Sequence, residues 1–184
     1  APGDDEGATP CPSPDCDPGR PDGPARVLAL HSTQNACAPG VARNVAYAFS
    51  LPNGKAAHYV AGPDALFQSL ADSDRGKHLG SPGNGFTIGI EQTGYAEYTA
   101  AEWDTANARL MLDRVVRLLA RLCRRHSIPA VVLTPSDVAA GAWGIATHDA
   151  IGDGVGGTNH WDPGPHYPLA SVVQRVRDVI ASGQ

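Results

Sequence analysis

Phe86-Thr87-Ile88-Gly89-Ile90-Glu91-Gln92 is the stretch from which the fold of this chain can be read. Side chains two apart in an extended chain share a face. Phe86, Ile88 and Ile90 therefore make one apolar face, and Thr87, Gly89 and Glu91 make the other. Val27-Leu28-Ala29-Leu30-His31 repeats the pattern, with Leu28 and Leu30 on one side and Val27, Ala29 and His31 on the other. In both strands a polar residue follows a small one, Glu91 after Gly89 and His31 after Ala29. Small side chains there leave room for a ligand, while the aliphatic face packs against helices.

The rest of the chain supplies the packing partners. Pro39 to Phe49 reads as a helix ended by the turn Pro52-Asn53-Gly54, and His58–Ala61 and Leu66–Leu70 read as paired strands. Thr99-Ala100-Ala101-Glu102 has the form of a capping box. It predicts a long amphipathic helix with an inward stripe of Trp103, Ala106, Leu110, Val115, Leu119 and Leu122, stopped by Pro129. Val131 to Leu133 predicts a further strand. A last helix spans roughly Leu169 to Ala181, with Leu169, Val172, Val173, Val176 and Ile180 inward. Strands interleaved with helices define an α/β domain with a central mixed β-sheet flanked by helices.

The first 24 residues differ in composition. They hold seven prolines, four glycines and six acidic residues, without Leu, Ile, Val or an aromatic side chain. Such a segment lacks the apolar surface to offset its ordering entropy. Residues 1–24 are expected to be a flexible tail or linker, and 25–184 the folded domain.

Composition removes several classes of function. A formal net charge of −5 argues against a protein that binds nucleic acid by neutralising phosphates. No apolar run is long enough to span a bilayer, so membrane insertion is not expected. The four cysteines, Cys11, Cys16, Cys37 and Cys123, lack the spacing of a cysteine zinc site; two disulfides and four free thiols are both open. No signal peptide is visible at Ala1. A removed export signal and an excised segment would read alike.

Chemistry concentrates in Thr158-Asn159-His160-Trp161-Asp162-Pro163-Gly164-Pro165. The residue before a proline is driven into extended backbone, so His160 and Asp162 should project to the same side. With His31 and the histidine of Gly144-Ile145-Ala146-Thr147-His148, these residues contain the elements of a two-histidine, one-carboxylate zinc set that leaves a position for water. One such residue alone would be an ordinary exposed strand end; His31, Glu91, His148, His160 and Asp162 together point to a hydrolase. The H-E-x-x-H helix of common metalloproteases is absent.

From about Val27 to Leu169 the chain resembles the type-2 N-acetylmuramoyl-L-alanine amidases, the family that includes phage endolysin amidases and peptidoglycan recognition proteins. The resemblance is carried, in order, by His31, Ala57-His58-Tyr59-Val60, Thr87-Ile88-Gly89-Ile90-Glu91, Gly144-Ile145-Ala146-Thr147-His148 and His160-Trp161-Asp162-Pro163-Gly164-Pro165. It implies one Zn2+ per chain on His31, His148 and Asp162, with Glu91 as the catalytic carboxylate and His160 as the oxyanion donor. His58, His78 and Asn84 would line the substrate groove, with His58 in its wall. Ala57 stands where some members carry a tyrosine, so no tyrosine is assigned to the mechanism. His166 receives no role, and His126, at the end of the long helix, is expected to be structural.

The implied reaction is hydrolysis of the amide between N-acetylmuramic acid and L-alanine in peptidoglycan. The expected protein is a monomer acting on the cell wall, either secreted or released by lysis. The alternative is a peptidoglycan-binding module of the same fold without activity; such relatives tend to lose the ligand matching Asp162, which this chain keeps.

Overall fold

The computed structural model describes residues 7–183. In chain order these form β1 (Thr9–Pro10), β2 (Val27–Ser32), α1 (Val41–Ser50), β3 (Tyr59–Ala61), β4 (Leu66–Gln68), α2 (Gly83–Phe86) and β5 (Thr87–Gln92). A 3-10 turn (Glu102–Asp104) leads into α3 (Ala106–His126), α4 (Pro135–Ala139), β6 (Gly144–Thr147), α5 (His148–Val155) and α6 (Leu169–Ser182). The six strands make one mixed sheet in the order β1-β4-β3-β5-β2-β6. Only the β3–β4 pair is antiparallel.

The two faces of the sheet follow from the alternation in β2 and β5. Leu28, Leu30, Ile88 and Ile90 are fully buried in one large cluster with Met111, Val115, Leu119 and Leu122 of α3 and Val172, Val173 and Val176 of α6. Val27 and Ala29 face the other way, into a smaller cluster with Val138 of α4, Ala146 of β6 and Ile151 of α5. Burying a side chain of the Leu or Ile kind contributes about 1.5–3 kcal/mol, so the α3–α6 layer anchors the sheet. The opposite face is less thickly covered, and the groove lies there.

Several local expectations are corrected. Phe86 closes α2 rather than opening β5, and it packs with Val27 and Ala29 instead of joining Ile88 and Ile90. The Thr99–Glu102 box forms, with Glu102 accepting from the Thr99 N–H at 2.8 Å, but it leads into the 3-10 turn and not into the long helix. The long helix begins afterwards, capped by the Thr105 side chain accepting from Ala108 N–H. This later start shifts the buried stripe to Ala108, Met111, Leu112 and Val115 and leaves Leu110 exposed. Arg124, Arg125 and His126 end α3, where cations complement the helix dipole. Val131–Leu133 makes a single bridge, Val132 to Ile145, rather than a strand. α4 carries a capping box of its own, Thr134 with Asp137.

The larger correction concerns the segment expected to be a flexible tail. Residues 1–6 lie outside the described residues, but residues 7–24 are packed onto the domain. β1 adds an edge strand beside β4, Cys11 N–H donates to the Gln68 carbonyl at 2.8 Å, and Asp17 bridges to Arg75. Arg20 goes deepest: its guanidinium donates to the carbonyls of Thr87 and Gly85, and its Nε to that of Asp72. Backbone pairing, the Asp17–Arg75 ion pair and the half-buried Arg20 hold a segment that has almost no apolar side chains, which a burial argument from composition could not anticipate. All four cysteines are free thiols.

Candidate active site

The site lies outside the carboxyl ends of the parallel strands, where ligands bind in open α/β sheets. His31 is the fifth residue of β2, and in the parallel ladder it lies directly opposite Glu91 of β5. β6 delivers His148 on the other side of β2. Thr147 ends that strand and caps α5 through its hydroxyl, so His148 becomes the first residue of the helix. Asp162 arrives on the loop before α6, with one carboxylate oxygen accepting from Ser32 N–H at 3.0 Å. Gly164, at φ +95°, lets that loop pass against the Ala96 carbonyl, where a Cβ would collide.

The three side chains converge. His148 Nδ1 lies 2.9 Å from Asp162 Oδ1, His31 Nδ1 lies 3.5 Å from Asp162 Oδ2, and the two Nδ1 atoms lie 2.9 Å apart. All three residues are buried. Ligand atoms at zinc distances of about 2.0–2.2 Å in a tetrahedral site stand about 3.3–3.6 Å apart, close to the observed spacings. Two imidazole nitrogens and a carboxylate oxygen crowded together also repel unless a cation lies among them. Beside them, Glu91 Oε2 is buried and has no hydrogen-bond partner among the described residues, an arrangement that costs stability unless a ligand or water completes it. The residues present therefore fit a zinc ion.

The two carboxyls of the site differ in their electrostatics. Burial would raise the Asp162 carboxyl, but the closely placed His148 and His31 hold it well below the usual carboxylate range, so it stays charged. Burial, reinforced by the charge of Asp162, pushes Glu91 up to about 8. Two carboxyls in one site thus have opposite environments, the pattern that separates a fixed anion from a proton-transfer group.

His160 is exposed at 69% of its side chain and stacks on His148, with ring centroids 5.0 Å apart and planes 14° from parallel. Its Nδ1 is 3.8 Å from Asp162 Oδ1, beyond hydrogen-bond length. His160 therefore faces the groove instead of fastening Asp162.

Among the three groove residues expected from sequence, only His78 lines the cavity. The groove has a volume of about 590 Å³ and includes His31, His78, Glu91, His148, His160 and Asp162. His58 is fully buried: its Nδ1 accepts from Gly89 N–H at 3.0 Å, and its Nε2 lies 3.0 Å from the Asp74 carbonyl. Burial and the nearby Arg20 lower it to about 4, so it is a neutral structural ring. Asn84 turns its carbonyl oxygen to the N–H groups of His78 and Leu79 and shapes their loop. Tyr59 is buried on the opposite face with its hydroxyl on Asp72, outside the site.

Sequence reasoning passed over Thr158, whose hydroxyl lies 2.9 Å from His148 Nε2, and Lys55 and Lys77 on the groove wall. The signal for Thr158 was its place in the histidine-bearing segment. The lysines gave none, since they reach the groove only through folding.

A mixed sheet that brings two histidines and a loop carboxylate together, beside the half-buried Glu91 in an open groove, presents a cluster that could hold a metal ion. The chain matches the family model described as N-acetylmuramoyl-L-alanine amidase over residues 21–165, and it belongs to that family. Solved structures share the fold. The hydrolase AmiA of Staphylococcus aureus, in complex with its ligand, superposes with a TM-score of 0.70 at 16% identity, covering 91% of this chain and 80% of that one. A mutant endolysin from Bacillus subtilis gives 0.61 at 17%, covering 92% and 97%. The N-acetylmuramoyl-L-alanine amidase LysC from Clostridium intestinale gives 0.55 at 12%, covering 83% and 85%. No curated protein sequence matches the chain.

Proposed function

We propose that this protein is a zinc-dependent N-acetylmuramoyl-L-alanine amidase that degrades bacterial cell wall. The observation that carries the proposal is the convergence of His31, His148 and Asp162 beside the unpartnered Glu91 oxygen, in a chain of this family. Zinc, when bound there, supplies Lewis acidity toward the scissile carbonyl and makes water acidic enough to attack near neutral pH.

The protein's own groups carry the protons. Glu91 accepts a proton from the attacking water at Oε2 and hands it to the nitrogen of the leaving L-alanine. A C–O bond forms at the lactyl carbonyl as the C–N bond breaks, giving a carboxyl on the muramic acid and a free amine on the stem peptide. His160, exposed and next to His148, donates a hydrogen bond to the developing oxyanion; such donors contribute about 3 kcal/mol to transition-state stabilisation. Asp162 stays ionised and, with His31 and His148, would hold the metal. One chain supplies every group, so a monomer suffices. An open groove suits an extended glycopeptide, and among the described residues no helix is long and apolar enough to cross a membrane.

The test is purified peptidoglycan incubated with metal-depleted and zinc-loaded protein. Zinc-dependent appearance of L-alanine amino termini is the expected result. Binding to the wall without release, at stoichiometric zinc, would instead make the chain a recognition module.

A further inference from the structure

The room beside Gly89 is not left for substrate. A Cβ at Gly89 would stand 2.6 Å from the His78 ring, and one at Gly76 would stand 2.8 Å from it. The two glycines form a cradle for that imidazole, which packs edge-on to His31 with centroids 5.0 Å apart and places Nδ1 3.0 Å from His31 Nε2.

The direction of the His31–His78 hydrogen bond can be worked out from the far side of the ring. The Thr87 hydroxyl donates its single proton to the Gly83 carbonyl at 2.9 Å. Toward His78 Nε2, at 3.5 Å, Thr87 can then act only as an acceptor, so the proton of the neutral ring sits on Nε2. That leaves His78 Nδ1 with a lone pair, and His31 must donate from Nε2. A neutral imidazole protonated at Nε2 carries its lone pair at Nδ1, the atom that faces Asp162 and His148.

We infer that His78 is a positioning residue that fixes His31 as the Nε2–H tautomer and aims its Nδ1 lone pair into the metal site, rather than a contact for substrate. This rests on the reading of His31 as a metal ligand. Outer partners of this kind orient ligating histidines, and their loss typically weakens metal binding about 10–100-fold.

Two variants separate the acceptor from mere bulk. His78→Leu fills the cradle without an acceptor, whereas His78→Asn places its amide oxygen close to the position of Nδ1. Zinc affinity by chelator competition should fall about 10–100-fold in His78→Leu and stay near the parent's in His78→Asn. In the metal-free parent, 15N-edited imidazole spectra should show His31 protonated at Nε2, a preference that His78→Leu loses. Parental zinc affinity in His78→Leu, an equal loss in both variants, or His31 protonated at Nδ1 in the parent would each overturn the inference. If the parent takes up no zinc, the metal-site reading falls, while the tautomer of His31 still decides the role of His78.

Discussion

Glu91 lies directly across the parallel β2–β5 ladder from His31, so one hydrogen-bonded register sets the distance between the carboxylate and the imidazole. Gln92 tightens this arrangement. Its amide donates to the His31 carbonyl at 3.1 Å and its oxygen accepts from the Tyr167 hydroxyl at 2.6 Å, tying the start of α6 to the strand end. His31 and Glu91 therefore stand on paired strands that are tied to the segment before α6.

Glu91→Gln keeps the volume of the side chain and removes its basicity. Zinc content should remain at the parental level while turnover of peptidoglycan falls by about 10²–10⁴-fold, the usual worth of a general base. Metal analysis and amine release on the same preparation check this. Parental turnover would remove Glu91 from the mechanism.

His160→Ala should lower the maximal rate by about 10²–10³-fold, the effect of losing one oxyanion donor, with zinc affinity close to the parent's. The 3.8 Å gap to Asp162 gives no hydrogen bond whose loss would disturb the metal. If activity instead returned on adding excess zinc, the ring would be acting through the metal ligands.

Arg20→Ala should lower thermal and urea stability, by about 2 kcal/mol. The substitution strips partners from the carbonyls of Asp72 and Thr87, and each unsatisfied buried group costs about 1–3 kcal/mol. Deleting residues 1–24 should do at least as much. An unchanged unfolding midpoint in both variants would show that the segment is dispensable.

Asp72 supplies an acid-sensitive contribution to stability. Burial raises its pKa, but hydrogen bonds from His126, Tyr59 and Arg125 outweigh this and bring it from 3.8 down to about 2. A depressed carboxyl stabilises the fold fully above its unfolded value, and the gain is lost as pH falls through the folded one. At about 1.4 kcal/mol per unit this contribution is about 2 kcal/mol. The stability gap between parent and Asp72→Asn, from urea titrations, should be full at pH 7 and shrink between about pH 4 and pH 2. A gap independent of pH would show that the ionised carboxylate is not its source.

The sequence by itself determined the two central strands, their faces and the polar residues at their ends. Strand alternation is a local property with a period of two, so Leu28, Leu30, Ile88 and Ile90 could be assigned to the core and His31 and Glu91 to the site face. The positions of His148, His160 and Asp162 were legible because proline and strand ends constrain backbone over a few residues. Tertiary structure alone decided which histidine fills the space beside Gly89, that His58 and Asn84 stay out of the groove, and that residues 7–24 pack. Each of those depends on contacts between segments far apart in the chain: Gly89 with His78, Arg20 with Thr87, Thr158 with His148. Local pattern carries no information on such pairings. A polar segment without a core of its own can still be ordered when a finished sheet edge offers it hydrogen bonds and a buried carbonyl cluster accepts its arginine.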